Sequence, residues 1–309
     1  MNWVGLTVEQ FAIDALIGEG SFAWIFRGVS ESGDRRAFKV AKPKDFILKG
    51  MRTGVVCTKA IKFRTNGIGE AVPDSQELLG LEYKKLGNLN LPCLPKYFSQ
   101  LNREGLGYLQ MELLEGHTLF QEIETGKAAL SFVKKTAQAL NSLIASGLAY
   151  HGDLNPENIF IVGGEVKILD PGHFGELKLA DGVTRGVFVT TPQYYPLLKP
   201  DDVLALGLTA WQAVVGKPLI ERELRDSVAD SGVLAPETLS WIEAMENMGN
   251  FYISGLRSLT LPRASGLTFE QEAVLLRSVR LALNQEGKIV RDPGYASAAA
   301  FADSLKVFA

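Results

Sequence analysis

The sequence predicts an α+β protein in which a small, antiparallel β-rich part precedes a larger and mainly helical part. Short strand patterns separated by turn residues occupy the first third of the chain, in residues 11–27, 37–41, 97–100 and 107–111. Residues 128–149, by contrast, carry apolar side chains at helical spacing. Strands that come first and helices that come later are typical of the α+β class.

The composition indicates a soluble globular protein. The chain has 309 residues, of which 46% are hydrophobic and 22% charged, which is enough for a substantial core. Its net charge of −3 gives no reason to expect nucleic acid as a partner. Cys57 and Cys93 lack metal-ligand spacing, and the longest apolar run, residues 204–215, is too short to cross a bilayer. We therefore expect a cytoplasmic protein without a membrane segment in this chain.

A glycine-rich turn joins the first two strand patterns. Gly18 and Gly20, followed by Ser21, would let the backbone approach a ligand closely and present N–H groups to phosphate oxygens. The pattern is weak by itself, because a tight hairpin would also use these glycines. Lys39 lies further along in an apolar strand, where a lysine needs a partner of opposite charge.

Two glutamates could supply that partner. A helix is predicted to begin at Asp74, where Glu77 would be occupied as part of a capping box. Glu82 lies three or four residues from Leu78, Leu79 and Leu86, so it shares the apolar face of the helix. We therefore favour Glu82, with Glu77 as the alternative.

A polar loop at residues 151–158 follows the predicted helix and precedes two short apolar strands joined by two glycines. This turn system places Asp153, Asn158 and Asp170 in one region. A carboxylate and a carboxamide suit Mg²⁺, which prefers oxygen ligands, and the other carboxylate is left to accept a proton from an attacking hydroxyl. The alternative is a surface loop that is merely rich in Asp and Asn.

The residues of this loop, His-Gly-Asp-Leu-Asn-Pro-Glu-Asn-Ile from His151, and the later Leu-Asp-Pro-Gly from Leu169 resemble the catalytic loop and metal-binding motif of the protein kinase superfamily. The bacterial eukaryotic-like serine/threonine kinases are the most similar group. The resemblance implies the bilobal protein-kinase fold, with ATP between the lobes. The N-lobe, a five-stranded antiparallel sheet with one helix, would be residues 1–112 and the C-lobe residues 113–309, together forming one kinase domain.

The resemblance also implies a role for each candidate residue. Asp153 would be the catalytic base, and Lys39, paired with Glu82, would hold the α- and β-phosphates of ATP. Asn158 and Asp170 would bind Mg²⁺. The remaining ATP-binding residues would come from the glycine-rich turn and from the hinge, where Met111 would be the gatekeeper: Gly18, Gly20, Ser21, Met111, Glu112, Leu113 and Leu114.

The chain departs from the family pattern at Ala23, which replaces the third glycine of the glycine-rich loop, and at four further positions. Gly152 replaces the arginine before the catalytic aspartate, so we expect activity without phosphorylation of the activation segment. Asn155 replaces the lysine typical of serine/threonine kinases, and Pro171 replaces the phenylalanine of the metal-binding motif. Leu197 stands where the family has a glutamate, which indicates a reduced platform for a peptide substrate.

A basic insertion, residues 43–73, is longer than the family's usual link, and residues 54–64 alternate like a strand. A docking surface and a solvated excursion both fit it. In the C-lobe, residues 173–196 would be the activation segment, and Asp202 would brace the catalytic loop at the start of a buried helix. Further helices are predicted at residues 204–215, 221–230, 236–248 and 269–284, with a last helix within residues 291–305.

The expected function is a Mg-ATP-dependent phosphotransferase acting on serine or threonine hydroxyls of a protein substrate. Two alternatives stay open. One is a pseudokinase, an ATP-binding or interaction module, which the changes at Gly152, Asn155, Pro171 and Leu197 favour. The other is a kinase for a small-molecule acceptor, which the His-Gly-Asp motif and the reduced peptide platform favour.

Overall fold

The structure is a computed structural model that describes residues 3–43, 60–63, 74–103, 105–126, 129–178, 182, 184–191, 193–195, 200–219, 267–279, 281–283, 289–291 and 294–308. These residues group into two compact units. The first contains the described residues up to 116 and those within 175–187. The second contains residues 117–174 and the described residues from 188 onward.

The first unit is built around a six-stranded antiparallel sheet with the order β1-β2-β3-β4-β7-β6. Its strands are β1 (Thr7–Val8), β2 (Phe11–Glu19), β3 (Ala23–Ser30), β4 (Arg35–Ala41), β6 (Tyr97–Arg103) and β7 (Leu106–Glu112). The sequence predicted five strands. The sixth is the two-residue β1, which is too short to give a periodic pattern and is held by pairing with the start of β2.

Among the described residues of this unit, one helix, α1 (Ser75–Leu86), packs against β4, β6 and β7 of the sheet. Asp74 caps it by accepting the N–H of Gln76 at 2.8 Å. Leu79, Glu82 and Leu86 recur every three or four residues and are all buried. The carboxylate of Glu82 therefore points into the face that covers the sheet.

One further strand is described within the basic insertion. β5 (Ala60–Phe63) belongs to a three-stranded sheet with β11 (His173–Lys178) and β12 (Thr184–Thr190), in the order β11-β12-β5. The rest of the insertion lies outside the described residues, as do the helices predicted at residues 221–230 and 236–248.

The second unit combines helices with a short sheet. Its helices are α2 (Leu119–Glu124), α3 (Ala129–Ala145), α4 (Asp202–Val215), α5 (Phe269–Ser278) and α6 (Ala298–Ser304), followed by a 3-10 turn at Leu305–Phe308. The sheet consists of β8 (His117–Thr118), β9 (Ile159–Val162) and β10 (Glu165–Ile168), in the order β10-β9-β8. Helix α3 packs against α4, α6 and β10 and so places the polar loop between itself and β9.

Helix α4 is the buried centre of this unit. All residues from Leu204 to Gln212 are buried, which is expected of a helix that is hydrophobic all round. A Cβ at Gly207 would lie 2.6 Å from the carbonyl oxygen of Ser278, so the absence of a side chain lets α5 pack closely. The helix ends at Gly216, which has a φ of +84°.

Two predicted helices end earlier than the sequence suggested. Helix α3 stops at Ala145 rather than near residue 149, because Gly147 adopts a φ of +98°. Helix α5 stops at Ser278 rather than at residue 284, and Leu281–Leu283 instead forms β13, which pairs with β14 (Ile289–Arg291). Leucine and alanine are good helix formers, so strand pairing has overridden local propensity here.

Among the helices in the described ranges, none has both the length and the hydrophobicity needed to cross a membrane.

Candidate active site

The glycine-rich turn forms the tip of the β2–β3 hairpin. The N–H of Gly20 donates to the carbonyl oxygen of Ala23 at 2.9 Å, so this N–H is already used inside the turn. Gly20 is exposed, while Gly18 and Ser21 are partly buried. A Cβ at Gly20 would meet the Ala23 oxygen only at 3.7 Å. A Cβ could therefore be placed at Gly20 in ordinary van der Waals contact, and the glycine is not required by crowding within the turn.

A buried lysine stabilises the base of this turn. Lys42 is 3% exposed, and its Nζ donates to the carbonyl oxygen of Gly20 and to Oε1 of Glu19, both at 2.7 Å. The same Nζ lies 5.5 Å from the ring centroid of Trp24. The hydrogen bond from Lys42 holds the pKa of Glu19 below its ordinary value of 4.5. Lys42 thus attaches the turn to the end of β4.

Lys39 on β4 and Glu82 on α1 form a buried ion pair, with Nζ 2.5 Å from Oε2. Each residue is 7% exposed. The hydroxyl of Tyr97 donates to the other carboxylate oxygen, Oε1, at 2.9 Å. Of the two glutamates considered for this role, Glu82 is the one that Lys39 contacts. Tyr97 orients that glutamate and was not singled out by the sequence.

The predicted hinge residues, Met111 to Leu114, begin at the end of β7. Met111 is 8% exposed and pairs with Ala37 on one side and with Tyr97 on the other. The N–H of Glu112 donates to the carbonyl oxygen of Lys96 at 2.7 Å, so it is engaged within the sheet edge. Leu113 and Leu114 follow in irregular, partly buried backbone beyond the sheet ladder.

In the second unit, the polar loop is anchored through its first residue. His151 is fully buried, its Nε2 donates to the carbonyl oxygen of Leu169 at 3.0 Å, and its Nδ1 accepts the N–H of Asp153 at 3.3 Å. These two bonds require a neutral imidazole with its proton on Nε2. The N–H groups of His151 and Gly152 donate to the carboxylate of Asp202 at 2.7 and 2.8 Å. His151 is therefore a scaffold residue in this arrangement.

Asp153 is fully buried and both of its carboxylate oxygens are hydrogen bonded. Oδ2 accepts from Nδ2 of Asn158 at 2.9 Å, and Oδ1 accepts from the N–H of Thr191 at 2.6 Å. The Thr190 hydroxyl lies 3.4 Å from the same Oδ1. The carboxylate is thus held in one orientation between the polar loop and the end of β12.

Asn158 and Asp170 form the second part of this cluster. Nδ2 of Asn158 also donates to the carbonyl oxygens of Asp153 and Asp170, at 2.7 and 3.4 Å. Since Nδ2 makes these contacts, Oδ1 is the atom of the Asn158 side chain that could serve as a ligand, together with the carboxylate of Asp170. Within the described residues, no cluster of three or more His, Cys, Asp or Glu side chains could hold a metal. An amide oxygen and a carboxylate are nevertheless suitable donors for Mg²⁺, which takes few protein ligands and completes its shell with phosphate and water.

The backbone around Asp170 is unusual. Asp170 has a φ of +53°, in the left-handed region that is rare for residues other than glycine, and it precedes Pro171, which restricts it further. Gly172 next donates its N–H to the His151 oxygen at 2.9 Å. A Cβ there would lie 2.2 Å from the Gly152 oxygen. A strained backbone conformation such as that of Asp170 is typical of functional sites, where the surrounding structure enforces it.

The predicted site residues thus form two clusters. Lys39 and Glu82 are in direct contact in the first unit, which also contains the glycine turn and the hinge residues. Asp153, Asn158 and Asp170 are joined by hydrogen bonds in the second unit. Sequence reasoning missed Tyr97 and Lys42, whose partners are at least 15 residues away in the chain. It also missed Tyr195, whose hydroxyl accepts the N–H of Leu154 in the polar loop at 2.7 Å. The signal for Lys42 was a second lysine directly after an apolar strand, and Tyr97 and Tyr195 carried none.

Comparisons with known proteins agree on one family. A family model described as "Protein kinase domain" matches residues 47–248, about two thirds of the chain. The serine/threonine-protein kinase PknA of Mycobacterium tuberculosis is 35% identical over 164 residues, which cover 47% of this chain and 38% of PknA. The chain thus spans well under half the length of this relative.

Two solved structures share the fold. The kinase domain of Mycobacterium tuberculosis PknI superposes with a TM-score of 0.51 at 16% identity, covering 98% of this chain and 97% of that one. Rad53 1–466 in complex with AMP-PNP superposes with a TM-score of 0.57 at 16% identity, covering 97% and 66%. The α+β arrangement is therefore the protein-kinase fold.

Proposed function

Since this chain belongs to the protein kinase family, whose members are ATP-dependent kinases, we propose that it transfers the γ-phosphate of Mg-ATP to serine or threonine hydroxyls of a protein substrate. The buried Lys39–Glu82 ion pair carries the proposal. Removing two charges from water is costly, so a 2.5 Å pair at 7% exposure needs a reason beyond stability. Orienting a lysine toward phosphate oxygens supplies that reason.

The glycine turn and the hinge complete the proposed nucleotide site. Gly20 is exposed and has no side chain, so phosphate groups could approach the backbone there, with Gly18 and Ser21 beside it. Met111 would limit the depth of the adenine pocket. The backbone groups of Glu112, Leu113 and Leu114 would contact adenine, with the Glu112 N–H already bonded to Lys96 and hence contributing through its carbonyl oxygen.

Asp153 is the proposed base, or the group that orients the acceptor hydroxyl. Asn158 fixes its Oδ2 and the N–H of Thr191 fixes its Oδ1. Asn158 and Asp170 would hold Mg²⁺, which neutralises phosphate charge when bound. Positioning and charge neutralisation are most of what phosphoryl transfer requires, so these groups are sufficient for the chemistry.

A catalytically silent nucleotide-binding module is the second candidate. The observation in its favour is that Asp153 is fully buried with both carboxylate oxygens occupied. For transfer to occur, an acceptor hydroxyl must reach one of these oxygens, either through a remaining lone pair or in place of a present partner. Oδ2 is the candidate atom, because the Asn158 Nδ2 that it accepts from has the Asp153 carbonyl oxygen as a second acceptor.

Phosphotransfer by the purified chain tests the proposal directly. The wild type, incubated with Mg²⁺ and γ-labelled ATP, should label itself or a generic protein acceptor on serine or threonine. Asp153→Ala should lower the rate by at least about 100-fold, which is typical for the loss of a general base, while ATP affinity stays within about twofold. Asp303→Ala, which removes an exposed carboxylate on α6, is the matched control and should behave as wild type.

Each outcome has a clear meaning. Normal transfer by Asp153→Ala would refute the assigned base. ATP binding without any transfer to protein would favour the silent module, or a small-molecule acceptor if metabolites stimulate ATP hydrolysis. A cytoplasmic location belongs to the same proposal and is supported by the low cysteine content, two residues in 309.

A further inference from the structure

The side chain of Tyr195 makes two hydrogen bonds that the kinase resemblance does not account for. Its hydroxyl donates to Oδ1 of Asp202 at 2.6 Å and accepts the N–H of Leu154 at 2.7 Å. The residue is 1% exposed. Burial raises the pKa of Tyr195 well above 10, so the hydroxyl keeps its proton and remains a donor to Asp202. Leu154 directly follows the proposed base, Asp153.

Asp202 joins this hydroxyl to the start of the polar loop. Its carboxylate accepts from three donors: the N–H groups of His151 and Gly152 and the hydroxyl of Tyr195. Burial raises the pKa of Asp202, and the three hydrogen bonds oppose that shift. Backbone N–H groups on both sides of Asp153 therefore donate to the buried, hydrogen-bonded pair of Asp202 and Tyr195.

The same pattern extends along the loop, so that four consecutive residues each have a partner in residues 190–195. The carbonyl oxygen of Gly152 accepts from the Thr190 hydroxyl at 2.7 Å, and Oδ1 of Asp153 accepts from the Thr191 N–H at 2.6 Å. Leu154 donates to Tyr195, and Nδ2 of Asn155 donates to the Thr191 hydroxyl at 3.2 Å. Of the three residues that contact the loop, Thr190, Thr191 and Tyr195, the last also donates from its side chain to Asp202 at the start of helix α4.

We propose that Tyr195 is a positioning residue: its hydroxyl fixes the Leu154 N–H and Asp202 together and thereby holds Asp153 in its working orientation without phosphorylation of the activation segment. This inference rests on the function proposed above. Gly152 and Leu197 stand where the family has charged residues, so those charges cannot hold the loop in this chain.

Tyr195→Phe removes the hydroxyl and keeps the ring, which packs 6.0 Å from the ring of Phe174. The Leu154 N–H then has no acceptor and Asp202 loses one donor. Tyr194→Phe is the matched control. Tyr194 is the neighbouring residue, is 6% exposed, and its hydroxyl donates to Oε1 of Gln212 on α4 rather than to the loop. Both variants lose one buried hydroxyl, but only one of these touches the loop beside Asp153.

The experiment measures kcat and KM for ATP, together with amide hydrogen exchange at Leu154, in the full chain. Tyr195→Phe should lower kcat about tenfold with KM for ATP unchanged, and exchange at Leu154 should accelerate about tenfold or more, since one hydrogen bond is lost. Tyr194→Phe should leave both kcat and Leu154 exchange within about twofold of wild type. Melting temperatures of the two variants show whether the loss of a buried hydroxyl destabilises both alike.

Equal losses of kcat in the two variants would show that Tyr195 has only a structural role and would overturn the proposal. Unchanged kcat and unchanged hydrogen exchange at Leu154 in Tyr195→Phe would also overturn it. If Tyr195→Phe does not fold, the wild type still decides. Leu154 must exchange as slowly as Gly152, and exchange at the rate of an exposed amide would refute the attachment. A wild type that transfers no phosphate would refute the proposed function and the catalytic part of this inference, whereas Leu154 exchange would still decide whether Tyr195 holds the loop.

Discussion

At the scale of single residues, Gly152 shows how the backbone conformation restricts which side chain a position can carry. Gly152 has a φ of +84°, and a Cβ there would lie 3.1 Å from the ring of Phe174. Any larger residue would therefore combine backbone strain with crowding. The departure from the family's arginine at this position fits the local geometry, in which Phe174 fills the space beside the loop.

The threonines of the activation segment differ in accessibility. Thr184 is exposed, whereas Thr190 is fully buried and Thr191 is 8% exposed, with both bonded to the loop. We predict that autophosphorylation within this segment occurs at Thr184, and that Thr184→Ala keeps transfer to an added substrate within about twofold, because no arginine precedes Asp153 to bind the phosphate. Mass spectrometry and a kinase assay check this. Phosphate on Thr190 or Thr191 of the folded protein would contradict it.

The Glu19–Lys42 pair predicts a pH dependence. Because Lys42 lowers the pKa of Glu19 from 4.5, the ionised pair stabilises the fold at higher pH, and this contribution is lost as the pH falls through the lowered pKa. Glu19→Gln should therefore melt below wild type near neutral pH, and the difference should shrink toward pH values of about 3.

Thermal melts of both proteins across this pH range measure the effect. The control is the same substitution in a Lys42→Met background, where Glu19→Gln should have no further pH-dependent effect. A difference that stays constant over the whole pH range would show that Glu19 acts through packing rather than through its charge.

At the scale of elements, the turn between β10 and β11 lies close to two other segments, the polar loop and the end of β12. A Cβ on Gly172 would meet the backbone of Gly152 on one side and, on the other, the carbonyl oxygen of Val189 at 2.7 Å. Neither contact is a flexible side chain that could move away. The absence of a side chain at this residue thus sets the distance between the polar loop and the end of β12.

We predict that Gly172→Ala destabilises the protein by about 3 kcal/mol, the upper range for overpacking, and that it abolishes phosphotransfer. Urea unfolding measures the change in free energy. Gly107→Ala on β7 is the matched control, because a Cβ there would meet its nearest neighbour, Gln76, at an ordinary 3.6 Å. Similar unfolding curves for the two variants would show that the polar loop and β12 can separate at little cost.

At the scale of the whole molecule, the proposed function requires both clusters of site residues to be intact in one folded chain. The first unit has an aromatic core that includes Trp3, Phe26 and Tyr108, with Trp3 and Tyr108 ring centroids 5.6 Å apart. The second is organised on the buried helix α4. Ligand binding reports on both units together, because a ligand that binds only the folded state stabilises the entire chain.

Mg-ATP at about 100 times its dissociation constant should stabilise the protein by about 2.7 kcal/mol and raise its melting temperature by about 5 °C. EDTA should remove most of this shift, and Asp170→Ala should reduce it, whereas Asp153→Ala should retain it. A thermal shift assay measures all four conditions. A shift that is the same with EDTA, or in Asp170→Ala, would refute the assigned metal ligand.

Local patterns in the sequence were enough to predict the β2–β3 hairpin, the paired strands β9 and β10, and helix α4, because each depends on periodicity and turn residues within a short stretch. The segment from Leu281 to Leu283 was predicted wrongly as helix. Its residues favour a helix locally, and only the pairing with Ile289–Arg291 makes it a strand.

The amino-acid sequence by itself determined the family, the order of the elements and the candidate polar groups, since these follow from short motifs that fold over neighbouring residues. Tertiary structure decided which groups touch: Glu82 rather than Glu77 at Lys39, Lys42 on the glycine turn, and Tyr195 between Leu154 and Asp202. Except for Tyr195–Asp202, those contacts join residues far apart in the chain. Such contacts form because a buried polar atom needs a hydrogen-bond partner, and packing determines which donor or acceptor lies near it. No local sequence pattern encodes that choice.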